Sequence, residues 1–301
     1  MKVYPDCLPC FLKQILNVSK IAGLSKEKTI SILKESCAFL GKNLKENASP
    51  GHNATLLHRL FKERTQIDDP YKTLKDKYND IALRLEPFLM KEIYEPAEDK
   101  LATAIKLAAL GNVIDFGIPR QFDLNEEIKN FFKTPFAYFD MAIFERFLVS
   151  GKTVLYVADN AGEIVFDKFL LRELKERGLK VVLAVRGGPI LNDATVEDAL
   201  KTGAAEIADE LITTGRDFIG VDFEFVSDEF KEYWQKAFFV VSKGQANFET
   251  LDGIRDADIF FILKAKCPPV AKELNCNLNE LVFLYNKHLL EMKENESNQE
   301  G

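Results

Sequence analysis

The sequence predicts an α/β fold: a three-layer α/β/α domain on a mostly parallel sheet, preceded by a helical N-terminal part. Three observations carry this. From about residue 150 onward, apolar β-branched runs alternate with amphipathic stretches, the pattern of a parallel sheet wrapped by helices. Before that point, apolar residues recur at spacings of three and four, the helical period. The chain has 301 residues, 47% apolar and 29% charged, which is enough to bury a sizeable core without covalent staples.

The elements follow in order. Leu8, Phe11, Leu12, Ile15 and Leu16 mark a first helix, and Ile30, Leu33, Cys37, Phe39 and Leu40 a second. "DPYKTLKDKYNDIALRLEPFLMKEI" reads as a third, with Asp69 as N-cap and Pro70 at its first position. "DKLATAIKLAALGNVIDFG" reads as a fourth, closed near Gly111, and the Phe-rich "PRQFDLNEEIKNFFKTPFAYFDMAIFERF" as a helical bridge. The strands are "TVLYVAD", "KVVLAVRGG", "ELITTG", "FFVVSKG" and "DIFFILKAKC". The organisation is a helical part over residues 1–149, an α/β domain over 150–290 and a disordered polar tail over 291–301.

A net charge of −7 without a basic cluster argues against a nucleic-acid partner. No run of eighteen apolar residues predicts a transmembrane helix. Five cysteines and no signal peptide point to reduced thiols and a cytoplasmic location. Nothing specifies an oligomeric state.

In open parallel sheets ligands bind beyond the carboxyl ends of the strands, and here those ends carry the polar residues. The first brings Asp159, Asn160 and Glu163; the second Arg186, Asn192 and Asp193; the fourth Lys243 and Asn247; the fifth Lys264, Lys266 and Cys267. Asp159, Asn160 and Asp193 are oxygen donors of the kind hard divalent cations take. None of the three histidines (His52, His58, His288) lies near them in sequence. Arg186 and Lys243 can meet the charge of a phosphate. Helix N-termini after Asn160 and Asn192 would present N–H groups to the same anion. Each acid–amide pair also reads as a simple helix cap, and Lys264 and Lys266 as solvated surface charges. Glu163 is placed either to hydrogen-bond a water of the site or to favour the helix dipole. Cys7 and Cys10 form a C-x-x-C pair; with Cys267 and Cys276 the spacing is poor for zinc, and core thiols are the alternative.

"DNAGE", "RGGPILNDAT" and "KGQANFE" at successive strand ends, with "CLPC", "DPYKTLK" and "GNVIDFG" upstream, resemble the metal-dependent damage-control phosphatases. Their fold is also called the acidic-residue methyltransferase-like metal-binding domain, and "CLPC" is similar to the C-x-x-C of its prokaryotic branch. The resemblance implies a divalent-metal phosphatase, using Mn²⁺, Ni²⁺, Co²⁺ or Mg²⁺, that acts on small phosphorylated metabolites. For this branch it implies oxidatively damaged purine nucleotides or their biosynthetic precursors. It places metal ligands on Asp159, Asn160 and Asp193 and a phosphate ligand on Lys243. Arg186, Asn192 and Asn247 are further phosphate or substrate contacts on this reading, and Asp159 and Glu163 the catalytic acids, with water or Asp159 as the attacking group. Two alternatives are an S-adenosylmethionine-dependent methyltransferase, which would need a glycine-rich loop where "DNAGE" stands, and a non-catalytic ligand-binding protein.

Overall fold

The computed structural model describes residues 1–111 and 124–297. The chain opens with helices α1 (Cys7–Ile21), α2 (Lys26–Asn43), α3 (Pro50–Thr65), α4 (Lys72–Leu89), α5 (Lys100–Leu110) and α6 (Leu124–Lys133). Strand β1 (Phe136–Phe139) and a short helix α7 (Met141–Phe144) lead to β2 (Thr153–Val157), α8 (Glu163–Glu176) and β3 (Lys180–Val185). Then come α9 (Val196–Lys201), α10 (Ala204–Ile207), β4 (Glu210–Thr213), α11 (Asp228–Lys236) and β5 (Phe239–Lys243). The chain continues through α12 (Gln245–Leu251), β6 (Ile259–Lys264), α13 (Pro268–Glu273), β7 (Leu281–Tyr285) and α14 (Asn286–Ser297).

The seven strands form one sheet in the order β1-β7-β6-β5-β2-β3-β4. β2 to β6 run parallel; β7 is antiparallel to β6, and β1 is parallel to β7. Leu155 and Val157 face one core and Val154, Tyr156 and Ala158 the other, so β2 is buried on both sides. Helices α4, α5 and α8 cover one face, with α5 and α8 packed along each other. Residues of α11, α12, α13 and α14 cover the other face. Helices α1 to α3 build a third core around Phe11, Ile15 and Phe61, which also takes in Ile190 and Ile219 from the loops after β3 and β4. The first three helices thus cap the carboxyl rim of the sheet, while α4 and α5 are part of its outer layer.

Several sequence expectations are corrected. The Phe-rich bridge is not all helix. Its segment Phe136–Phe139 is strand β1, so the sheet begins before residue 150. Phe144 and Phe147 of the same segment pack edge-on against Phe239 and Phe260. Helix α3, opened by the Ser49 hydroxyl accepting from the His52 N–H, went unread. Helix α4 starts at Lys72, and Asp69 caps a turn just before it by accepting from the Tyr71 N–H. Residues 291–297 are the end of α14 rather than disordered tail. "NVIDFG" and residues 118–123 lie outside the described residues, as does 298–301. Among the described residues no helix is long and apolar enough to cross a membrane.

Candidate active site

Strand order reverses between β2 and β5: the chain steps outward from β2 through β3 to β4, then returns to β5 on the other side of β2. Ligands of open α/β sheets bind at such a switch point. At this one the chain leaves β2 as Asp159-Asn160 and leaves β5 as Lys243-Gly244. Gly244 has φ +81°, and a Cβ there would stand 1.9 Å from Asp159 Oδ2. The space over the switch point is therefore filled by the Asp159 carboxylate, and only glycine leaves room for it.

The loop after β3 is tied to the loop after β2. The Ala194 N–H donates to the Asp159 carbonyl and the Ala161 N–H to the Asn192 carbonyl, so Asn160 and Asp193 lie side by side. Gly162, φ +80°, donates its N–H to Asn79 Oδ1 from α4 and opens α8. Asn160 Nδ2 donates to Asp159 Oδ2 (2.9 Å) and to Glu163 Oε1 (2.8 Å). Two carboxylate acceptors can only face the amide nitrogen, so the amide oxygen points away from them. The helix after Asn192 begins three residues beyond Asp193, at Val196 with Thr195 as cap, so it offers no N-terminus at Asn192. The N–H groups of Ala161 and Gly162 are likewise spent within the protein.

Beneath this floor lies a charged core. Arg186 is buried and all three of its nitrogens are committed: Nε to Asp193 Oδ2 (2.6 Å), Nη1 to the Gly220 carbonyl (2.8 Å) and Nη2 to Asn247 Oδ1 (2.7 Å). Asn247 returns two bonds, to the carbonyls of Lys243 and Ala158. Lys243 has no exposed surface; its Nζ meets Asp167 Oδ1 at 2.7 Å and Glu163 Oε2 at 3.8 Å, and the Tyr156 hydroxyl donates to the same Asp167 oxygen. Burial alone would push the Lys243 ammonium down. The carboxylates of Asp167 and Glu163 outweigh it and hold the ammonium above its usual range.

Asp159 is buried, and its carboxyl is held well above the ordinary carboxylate range, first by burial and then by the charges of Glu163 and Asp193. Burial also raises Asp193, against the opposing pull of Arg186. Four buried carboxylates (Asp159, Glu163, Asp167, Asp193) thus face two buried cations (Arg186, Lys243). With all four ionised, two negative charges would be left over, the charge of one divalent cation. Among the described residues no three His, Cys, Asp or Glu side chains group as metal ligands. The donor set here is two carboxylates and one amide, which fits a hard cation that keeps water or substrate oxygens in its remaining positions.

Over the floor is a cavity of about 320 Å³, lined by Asp159, Asn160 and Asp193 and closed by residues of the cap. Phe11, Pro50, Leu191 and Ile219 supply apolar wall; Gln14, Gln245, Glu249 and Lys266 supply polar wall. Burial pushes the Glu249 carboxyl up to about 7. Cys7, Cys10 and Cys267 also line this cavity, whereas Cys276 does not. All five cysteines are free thiols. Glu163, Arg186, Lys243 and Asn247 do not line it: they hold the residues that do. Sequence reasoning placed the N-terminal helices on the sheet as a cap or lateral layer but did not single out Gln14, Phe11 or Pro50 as cavity wall, and set Lys266 aside as a surface charge.

The reversal of strand order and the acidic rim define an α/β protein with a candidate small-ligand site at its switch point. The profile of the damage-control phosphatase ARMT1-like domain matches residues 3–282. A damage-control phosphatase of Archaeoglobus fulgidus is 36% identical over 285 residues, 94% of this chain and 98% of that protein. A damage-control phosphatase of Pyrococcus horikoshii is 35% identical over 292 residues, 96% of this chain and all of that one. The crystal structure of a DUF89 family protein from Pyrococcus horikoshii superposes with a TM-score of 0.89 at 34% identity, covering 95% of this chain and 99% of that chain. The chain belongs to the damage-control phosphatase family.

Proposed function

We propose that this protein is a divalent-metal-dependent phosphatase that hydrolyses small phosphorylated metabolites, with the metal held by Asp159, Asn160 and Asp193. The observation that carries this reading is the excess of buried carboxylates at the rim, open to a cavity sized for a small metabolite. A bound cation would neutralise charge developing on the phosphoryl oxygens and lower the pKa of water. The chain's own residues do the rest. Arg186 fixes Asp193 through Oδ2, and Asn160 fixes Asp159 through Oδ2, so each carboxylate keeps its other oxygen outside these bonds. Glu163 orients the Asn160 amide, acting as a positioning residue rather than as a group in the cavity. Helices α1 and α3 wall off the floor, which keeps bulk water from competing with the substrate.

The substrate class proposed is damaged purine nucleotides or their precursors, taken against the apolar wall of Phe11, Leu191 and Ile219. The turn after β2 spends its residues on acids instead of a glycine-rich loop, which speaks against the methyltransferase alternative. The test is a phosphatase screen over a metabolite panel, with Mn²⁺, Ni²⁺, Co²⁺ or Mg²⁺ restored singly after EDTA. Metal-restored release of phosphate is the expected result, and no release with any metal refutes the reading.

Hydrolysis of a phosphate ester needs no thiol, although Cys7 and Cys10 border the cavity. Under reducing conditions the Cys7→Ser/Cys10→Ser protein is expected to keep its turnover within a few-fold, on the panel substrate that the parent uses best. Loss of activity in a folded double variant would bring the pair into the chemistry.

A further inference from the structure

We propose that Asn79 of α4 is a positioning residue for the metal ligands: it spans the two loops that carry them and sets the gap between Asp159-Asn160 and Asp193. This deepens the metal-phosphatase reading and rests on it.

Asn79 is completely buried and does not line the cavity. Its side chain reaches both ligand loops from behind. Oδ1 accepts from the Gly162 N–H at 2.7 Å, two residues past Asn160. Nδ2 donates to Asp198 Oδ1 at 2.7 Å. The other oxygen of Asp198 accepts from the Thr195 N–H at 2.9 Å and from the Thr195 hydroxyl at 2.7 Å, two residues past Asp193. An amide offers its oxygen only to donors and its nitrogen only to acceptors, so these partners hold Asn79 in one orientation. A ring therefore closes from Asn160 through Gly162, Asn79, Asp198 and Thr195 to Asp193.

Two backbone bonds also join the loops directly, from the Ala194 N–H to the Asp159 carbonyl (2.8 Å) and from the Ala161 N–H to the Asn192 carbonyl (2.9 Å). Two neighbouring bonds make a hinge line, and a support away from that line stops the loops pivoting about it. The turn after β2 has particular need of one. Gly162, at φ +80°, has no Cβ to restrain it. As the residue before α8, it has no partner for its N–H within the helix. Asn79 supplies that partner, and α4 comes directly against the turn: a Cβ on Gly162 would stand 3.0 Å from Tyr78 Cβ and 3.1 Å from the Tyr78 carbonyl oxygen. Lys75, one turn earlier on α4 and also buried, sets its Nζ 3.1 Å from Asp69 Oδ2 and 3.5 Å from Asp198 Oδ2, which compensates the buried charge of Asp198. Partners that orient metal ligands in this way govern how well the ligands fit the ion.

The test is calorimetric titration of Mn²⁺ into the metal-free parent and its variants, with melting temperatures measured alongside. Asn79→Ala should bind Mn²⁺ roughly ten- to a hundredfold more weakly, the range for losing a partner that orients metal ligands. Asn79→Asp keeps an acceptor for Gly162 but turns a second carboxylate on Asp198, and should weaken binding similarly. Asn79→Asp combined with Asp198→Asn exchanges the two groups. Residue 79 then accepts from Gly162 and from residue 198, residue 198 still accepts from Thr195, and the negative charge stays one helical turn from Lys75. This double variant should return to within a few-fold of the parent. Asn286→Ala is the control. Asn286 is a buried amide at the opposite rim of the sheet, bonded to the Ile259 N–H and to the carbonyls of Ile254 and Ala257. Its loss should lower the melting temperature and leave Mn²⁺ affinity at the parent's level.

Parent-like Mn²⁺ affinity in Asn79→Ala overturns the proposal, as does a parent that binds no Mn²⁺. A double variant that binds no better than Asn79→Asp overturns it too, and decides the matter if Asn79→Ala does not fold. A matching loss of affinity in Asn286→Ala would make the effect one of general stability and has the same consequence. The two readings fail separately. A parent that binds Mn²⁺ with the help of Asn79 but hydrolyses no ester loses the phosphatase reading alone. A parent that hydrolyses esters with added metal, with Asn79→Ala unchanged in Mn²⁺ affinity, loses the Asn79 assignment alone.

Discussion

The Asp159→Asn protein is expected to fold, to lose its stabilisation by divalent metal, and to lose turnover by roughly a thousandfold or more, the several kcal/mol a bound cation contributes to the transition state. The first part follows from the sign of the Asp159 shift. Its carboxyl is raised in the folded protein by burial and by Glu163 and Asp193, so the folded state binds that proton more tightly than the unfolded chain does. Without metal, stability is therefore full at low pH and is lost as the pH rises through the raised pKa. The isosteric amide removes that loss, and the metal-free variant should be more stable than the parent at neutral pH, by a margin that closes as the pH falls. The metal response runs the other way. Binding must displace protons from Asp159 and Asp193, so the metal-induced rise in melting temperature is complete above the raised pKa values and fades below them. For the parent, a metal concentration about a hundred times Kd adds about 2.7 kcal/mol. Thermal denaturation with and without Mn²⁺ across pH measures all of this. A variant that Mn²⁺ stabilises as much as it does the parent would remove Asp159 from the ligand set.

The polar turn that carries Asp159 was partly legible in the sequence. An acid and an amide at the end of a β-branched run, with a glycine two residues on, place a polar turn at a sheet rim without any structure. The parallel strands were legible for a related reason: β2, β3, β5 and β6 are buried on both faces and read as apolar runs, and the edge strand β4, only partly buried, was read from its place in the alternation. Strands β1 and β7 were not. "FAYF" and "LVFLY" are short, lie toward the sheet's other edge, and carry aromatic spacing that a helix also satisfies. The direction of the cations was illegible as well. Sequence puts Lys243 and Arg186 at strand ends, but whether each faces inward depends on a partner elsewhere. Asp167 lies one helical turn beyond Glu163 on the buried side of α8, and nothing in its own neighbourhood marks it as a counter-ion. Lys266 lies two residues past the end of β6, where no periodicity fixes the direction of a side chain. The approach of Cys7 and Cys10 to Cys267 joins the two ends of the chain, and local pattern carries no trace of it.

Because Lys243 is a buried counter-ion, its loss should register first in stability. Lys243→Met keeps most of the stem and removes the charge, leaving Asp167 sealed in the core with the Tyr156 hydroxyl as its remaining donor. Asp167 Oδ2 has no hydrogen-bond partner among the described residues, so the ammonium is the main compensation for that carboxylate. Breaking a buried pair from one side costs about 3–5 kcal/mol, which for a chain of this size is a fall in melting temperature of roughly 10 °C. The pH dependence tests the cause. The Asp167 carboxyl is already raised by burial, and Lys243 is the largest charge opposing that rise. Without Lys243 the carboxyl rises further, so the variant regains stability as the pH falls through that higher value. The gap to the parent should then narrow at acid pH and widen at neutral pH. A second change, Asp167→Asn, should recover part of the lost stability in the Lys243→Met background and cost stability in the parent, the non-additivity expected of two groups in contact. Denaturant unfolding of the four proteins at two pH values decides the matter. If Lys243→Met melts with the parent at neutral pH while its phosphate affinity falls, Lys243 is a phosphate ligand after all and the counter-ion reading gives way.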